Sequence, residues 1–199
     1  TLVRDALSIN RNVDLGQAYF TGVLERFERS LKDTSGNRFP LVFDTLNQEL
    51  EGGLSIKELA MVVAPPGVGK SLYLVNQGVT ALMQNKKVLY ISLEMSEDKI
   101  AQRFDSVMTL IAQKNLKNSL ALLQKRLALF NDKFPSGQLM IKEFPTGLAN
   151  INDIRSLLVQ LHNYEDFIPD VILVDYLELL RPTRDGLAEY QAQQRISEE

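Results

Sequence analysis

The chain has 199 residues, 45% hydrophobic and 24% charged, a balance that supports a buried core and excludes a largely disordered protein. Twenty-two basic residues against 25 acidic ones leave a net charge of −3, which excludes binding to a polyanion by gross charge but not by a local basic groove. With no cysteine and His162 as the single histidine, disulfides, thiolate chemistry and a histidine-based zinc cluster are ruled out, and no apolar run approaches the roughly 20 residues of a membrane span.

Leu15, Tyr19, Val23, Phe27 and Leu31 recur every four residues, with Phe20 and Leu24 beside them. This spacing predicts an amphipathic helix over 14–32, capped near Asn12 or Asp14 and closed near Asp33-Thr34-Ser35-Gly36. Its apolar face packs either on its own domain or on a neighbouring subunit, since periodicity does not say whose surface buries a stripe. Residues 1–38 are therefore read as a linker region and 39–199 as the main domain.

Leu59-Ala60-Met61-Val62-Val63-Ala64 predicts a buried strand running into a loop. A helix is expected over 71–84 and a strand over 88–92, extended through Leu93 to Glu94. Helices are expected from Ser96, over 119–131 and over 151–161, with short strands at 139–141 and 171–174. Continuous apolar strands alternating with helices mean strands covered on both faces. The fold class is α/β, a parallel sheet built from βαβ units.

Between the first strand and its helix lies Ala64-Pro65-Pro66-Gly67-Val68-Gly69-Lys70-Ser71. It matches the phosphate-loop pattern G-x-x-x-x-G-K-[ST] except that Ala64 replaces the first glycine, at a strand end where a small side chain suffices. Gly67 and Gly69 let the backbone curl its N–H groups towards phosphate oxygens, Lys70 reaches the outer phosphates and Ser71 coordinates Mg²⁺. The plainer alternative is a Gly-Pro turn that happens to precede Lys-Ser.

A magnesium-nucleotide site also needs an acid at the end of another strand, and 171–174 delivers Asp175. Many ATPases place a catalytic glutamate directly after that aspartate, but here the position is Tyr176. Glu94 is therefore the candidate general base, provided that its strand lies beside the phosphate-loop strand. Glu178 is its competitor, read as a loop or helix-entry acid. Arg181 and Arg184 follow in a loop whose charges suit a DNA phosphate, a neighbouring subunit or plain solvation, and His162 closes its helix without chemistry.

Phe43-Asp44-Thr45-Leu46, Glu51-Gly52-Gly53-Leu54, the 64–71 loop, Ser92-Leu93-Glu94-Met95 and Val174-Asp175-Tyr176-Leu177 together resemble the RecA-type motor domain of the DnaB family of replicative helicases, phage helicases included. The resemblance covers about Leu41 to the C-terminus. It implies a RecA-like P-loop NTPase fold and a hexameric ring with ATP and Mg²⁺ bound between subunits. It further implies single-stranded DNA in the channel, a primase or helicase loader as partner, and the cytoplasm of a bacterium or phage-infected host as location. Lys70 and Ser71 would bind phosphate and magnesium, Glu94 would be the catalytic glutamate and Asp175 would serve the metal. The N-terminal helix matches in position the family's linker helix, which packs on the adjacent subunit. Glu178 stands where the family usually has a glutamine. The chain begins at Thr1 rather than Met, and the family's sensor residue, DNA loops and arginine finger would lie beyond Glu199, as expected of a piece of a longer protein. The competing functions are a RecA-like recombinase or clock-type ATPase, and a nucleotide-gated assembly module without appreciable turnover.

Overall fold

A computed structural model describes residues 19–20, 22–34 and 38–181, the side chains of 29–34 excepted. The chain divides into two compact units, residues 1–38 and 39–199. In the first, helix α1 (Val23–Thr34) begins later than the expected 14–32 helix. Tyr19 and Phe20 form a turn instead, because Gly22 takes a left-handed φ of 69° that stops the helix from continuing backwards. Arg26 donates to the Tyr19 carbonyl at 2.8 Å and lies 4.7 Å over its ring, which holds that turn. Residues 14–18, with Leu15, lie outside the described residues. Val23, Leu24 and Phe27 of α1 are exposed.

The second unit opens with α2 (Asp44–Glu49), which the sequence pattern did not signal, and continues with α3 (Lys70–Leu82), β1 (Lys87–Ser92) and α4 (Glu97–Thr109). A 3₁₀ turn over Gln113–Asn118 leads to α5 (Leu120–Lys133), β2 (Gln138–Glu143), α6 (Ile151–Glu165) and β3 (Val171–Asp175), and a last 3₁₀ turn covers Leu177–Leu179. The three strands are parallel in the order β2-β1-β3, with Ser92 level with Asp175 on one side and with Glu143 on the other.

Being central, β1 is buried on both faces, and its side chains alternate between two cores. Val88 and Tyr90 join Val75, Val79 and Leu82 of α3, Ile100 and Phe104 of α4 and Leu173 of β3. Leu89 and Ile91 join Ile154 and Leu161 of α6 and Phe167 on the other face. Full burial of each such aliphatic side chain contributes about 1.5–3 kcal/mol. The best-anchored strand is thus the one whose C-terminal end carries the Ser92-Leu93-Glu94-Met95 run. Buried Gln77 of α3 ties the domain entrance to this core: it accepts from Val42 N at 2.9 Å and donates to the Pro40 carbonyl at 3.0 Å.

The expected strand at 59–64 is absent from this sheet. Its residues make no ladder with the described strands, and Leu59, Met61 and Val63 are exposed. The neighbours of β1 are β2 and β3, not the run that precedes the phosphate loop. An apolar run specifies a preference for burial but not a partner. Here residues 59–64 and the edge strand β3 share the lining of a cavity of about 380 Å³ instead of a set of hydrogen bonds.

Candidate nucleotide site

The 64–71 loop turns into α3 at Gly69, the residue before its first turn, with φ 104°; Gly67 has φ 79°. A Cβ at either position would meet nothing within 4 Å, so what demands glycine is the backbone conformation and not space. The first helical hydrogen bond runs from Tyr73 N to the Gly69 carbonyl at 2.9 Å. The preceding amides of this turn have no partner within the helix, and the positive end of its dipole faces the loop. Lys70 is the first residue of α3, half-buried, and its Nζ lies 5.1 Å from the centroid of the Tyr176 ring. Ser71, the next residue, is half-buried. Pro65, Pro66 and Val68 are exposed, and Ala64 is half-buried at the cavity wall.

Asp175 closes β3 and is 1% exposed. Tyr90, fully buried in β1, donates its hydroxyl to Asp175 Oδ2 at 2.8 Å, whereas Oδ1 is buried without a partner. Burial, then the negative charge and the hydrogen bond of Asp175, hold the Tyr90 hydroxyl far above the usual phenol range, against a smaller opposing pull from Arg103.

Glu94 emerges at the same edge of the sheet. Leu93 N donates to the Asp175 carbonyl at 2.8 Å, and Thr146 Oγ1 donates to the Leu93 carbonyl at 2.7 Å. Ser92 Oγ accepts from Met95 N at 3.0 Å and donates to the Met95 carbonyl at 2.6 Å. The turn that presents Glu94 is therefore held from β3, from the 144–150 segment and from its own serine, with the Glu94 side chain exposed.

The cavity gathers Ala64, Lys70, Asp175, Tyr176 and Glu178 among apolar walls. Glu94 stands outside its lining, while Glu178, the residue read as a loop acid, is part of it and is exposed in the last 3₁₀ turn. Both acids act on the same group: the Tyr176 hydroxyl is pushed up by burial first, then by the charges of Glu94, Glu178 and Asp175. Arg181 is exposed, its backbone N–H bonded to the Ala149 carbonyl at 2.7 Å, and Arg184 lies outside the described residues. His162 is exposed in the last turn of α6. Sequence reasoning missed Tyr90 and the Lys70–Tyr176 contact. For Tyr90 the signal was there, as the one side chain with a polar atom in Val88-Leu89-Tyr90-Ile91.

Comparisons with known proteins converge. Residues 39–199 match the family model of the DnaB-like helicase C-terminal domain. A DnaB-like replicative helicase of Enterobacteria phage T4 is 31% identical over 186 residues, which cover 92% of this chain and 39% of the relative. The replicative DNA helicase DnaB of Mycoplasma pneumoniae is 26% identical over 172 residues, 81% of this chain and 34% of the relative. The chain thus spans less than two-fifths of the length of these relatives. Among solved structures, the ATPase domain of G40P superposes with a TM-score of 0.72 at 17% identity, covering 92% of this chain and 66% of that one. A DnaB-like replicative helicase studied with its primase gives 0.69 at 18% identity over 92% of this chain and 44% of that one. These two likenesses establish the RecA-like ATPase fold, a parallel sheet with flanking helices. With a family model matched over the whole second unit, the chain belongs to the DnaB-like helicase C-terminal domain family.

Proposed function

We propose that this chain is the ATP-hydrolysing motor domain of a replicative DNA helicase, working in a hexameric ring on single-stranded DNA in the cytoplasm, with a primase or loader as partner. The observation that carries the reading is the meeting of Lys70 and Asp175 in one cavity, with the buried Asp175 Oδ1 left without a hydrogen-bond partner. An unpartnered buried carboxylate oxygen costs about 1–3 kcal/mol or more, which fits an acceptor kept for a ligand.

In this reading the amides of the 67–70 turn and Lys70 bind the β- and γ-phosphates, and Ser71 and Asp175 would hold Mg²⁺. The donor set fits such an ion. A serine hydroxyl and an aspartate carboxylate are the hard oxygen donors that such an ion takes beside phosphates and water. When bound, Mg²⁺ neutralises charge on the phosphate oxygens. Glu94 takes the proton of the attacking water, and Lys70 stabilises charge building on the γ-phosphate. Arg181 and Arg184 contact DNA phosphate, and α1 docks its exposed apolar face on a neighbouring copy.

The placement of Glu178 in the cavity lining favours one second reading, in which Glu178 rather than Glu94 is the base. Glu94→Gln and Glu178→Gln, compared in the oligomeric assembly, separate the two. Glu94→Gln is expected to keep ATP binding and lose about 10²–10⁴-fold in turnover, with Glu178→Gln little changed; the reverse result transfers the role to Glu178. Lys70→Ala is expected to abolish binding of ATP, and retained affinity would refute the phosphate loop itself.

A further inference from the structure

We propose that Tyr90 is a positioning residue for Asp175: its hydroxyl occupies Oδ2 and so presents Oδ1 as the carboxylate's acceptor for the metal shell. This rests on the reading of Asp175 given above and adds a residue to it. A carboxylate rotates easily about its last torsion, and its two oxygens are interchangeable unless something distinguishes them. At Asp175 something does. Oδ2 has a donor at 2.8 Å, and Oδ1, equally removed from water, has none.

The donor itself is fixed. Tyr90 is fully buried in the central strand, and its ring meets that of Phe104 edge-on, at 5.6 Å between centroids and 89° between planes. Val75, Val79, Ile100 and Leu173 belong to the same core cluster, so the ring is packed by apolar neighbours from α3, α4 and β3. The register of the sheet brings the two groups together: Ser92 lies level with Asp175, and Tyr90, two residues earlier, points to the same face of β1. Phenylalanine would fill this place in the core equally well. The hydroxyl adds only the contact with Asp175, and that contact sets which way the free oxygen faces.

The test compares this chain with Tyr90→Phe, Asp175→Asn, their double variant and Phe104→Leu. The readouts are affinity for a fluorescent non-hydrolysable ATP analogue with and without MgCl₂, and Mn²⁺ affinity of the nucleotide complex by electron paramagnetic resonance. Loss of a group that orients a metal-site carboxylate typically lowers metal affinity about 10–100-fold, and Tyr90→Phe is expected to weaken Mn²⁺ and the Mg²⁺-dependent part of analogue binding by that factor while leaving metal-free binding unchanged. Tyr90→Phe is expected to add nothing in the Asp175→Asn background. Phe104→Leu, which loosens the ring but keeps the hydroxyl, is expected to lower the melting temperature while costing less metal affinity than Tyr90→Phe. Unaltered metal affinity in Tyr90→Phe, or equal losses with and without metal, overturns the proposal and leaves Asp175 in place. Unaltered metal affinity in Asp175→Asn overturns the reading of Asp175 itself.

Discussion

Gly78 lies in the middle of α3 where that helix crosses α4, and the space around it decides what an alanine does there. A Cβ built on Gly78 would stand 2.8 Å from Cε1 and Cζ of Phe104 and 3.2 Å from Cδ1 of Leu173. Alanine favours a helix interior over glycine by about 0.8–1 kcal/mol, so on propensity alone Gly78→Ala stabilises. Forcing a methyl into a packed core costs about 1–3 kcal/mol, and the ring that must yield is held in place by Tyr90. The second effect wins, and Gly78→Ala should destabilise by about 1 kcal/mol. With a slope near 2 kcal/mol per molar urea, the midpoint of urea unfolding falls by about 0.5 M, followed by far-ultraviolet circular dichroism. In the Phe104→Leu background the ring is gone and only the looser approach to Leu173 Cδ1 at 3.2 Å remains, so the same substitution should lower the midpoint less. Equal effects in both backgrounds would refute the reasoning, since it requires the two positions to be coupled.

Two further substitutions probe the site and its support. Gly69→Ala places a Cβ at φ 104°, where open space surrounds it but the backbone conformation costs about 1–3 kcal/mol, so affinity for a fluorescent ATP analogue should fall about tenfold, and unchanged affinity would show that the loop does not need this conformation. Asn150 caps α6 by accepting from Asn152 N at 2.8 Å and Asp153 N at 3.3 Å, while Asp153 returns a bond to Asn150 N. Asn150→Ala should lower stability by about 1 kcal/mol and the melting temperature by about 2–4 °C, and a calorimetric scan that shows no shift would remove the cap from the account.

What the sequence disclosed and what it hid divide along a physical line. Residues 88–92 and 171–174 read as strands because both faces of each meet apolar neighbours, and the helices over 70–82, 97–109, 120–133 and 151–165 read from their period, with ends shifted by a few residues. The run at 59–64 has the same composition as those strands, yet pairing depends on a neighbour that composition does not name. Gly22 halted the first helix despite an unbroken apolar stripe, because a stripe does not record backbone conformation. At the site, Lys70 and Asp175 were legible as loop and strand-end residues. The inclusion of Glu178 in the cavity, and the bond from Tyr90, depend on which strands lie side by side and at what register.

The open side of β3 bears on how this molecule behaves in a test tube. Its outer backbone groups have no ladder partner among the described residues, and Leu59, Met61 and Val63 stand in water nearby. A greasy ribbon and a vacant sheet margin on the same molecule are complementary to each other across two copies. An overall charge of −3 opposes such pairing only weakly. Lysines introduced into the ribbon would oppose it directly.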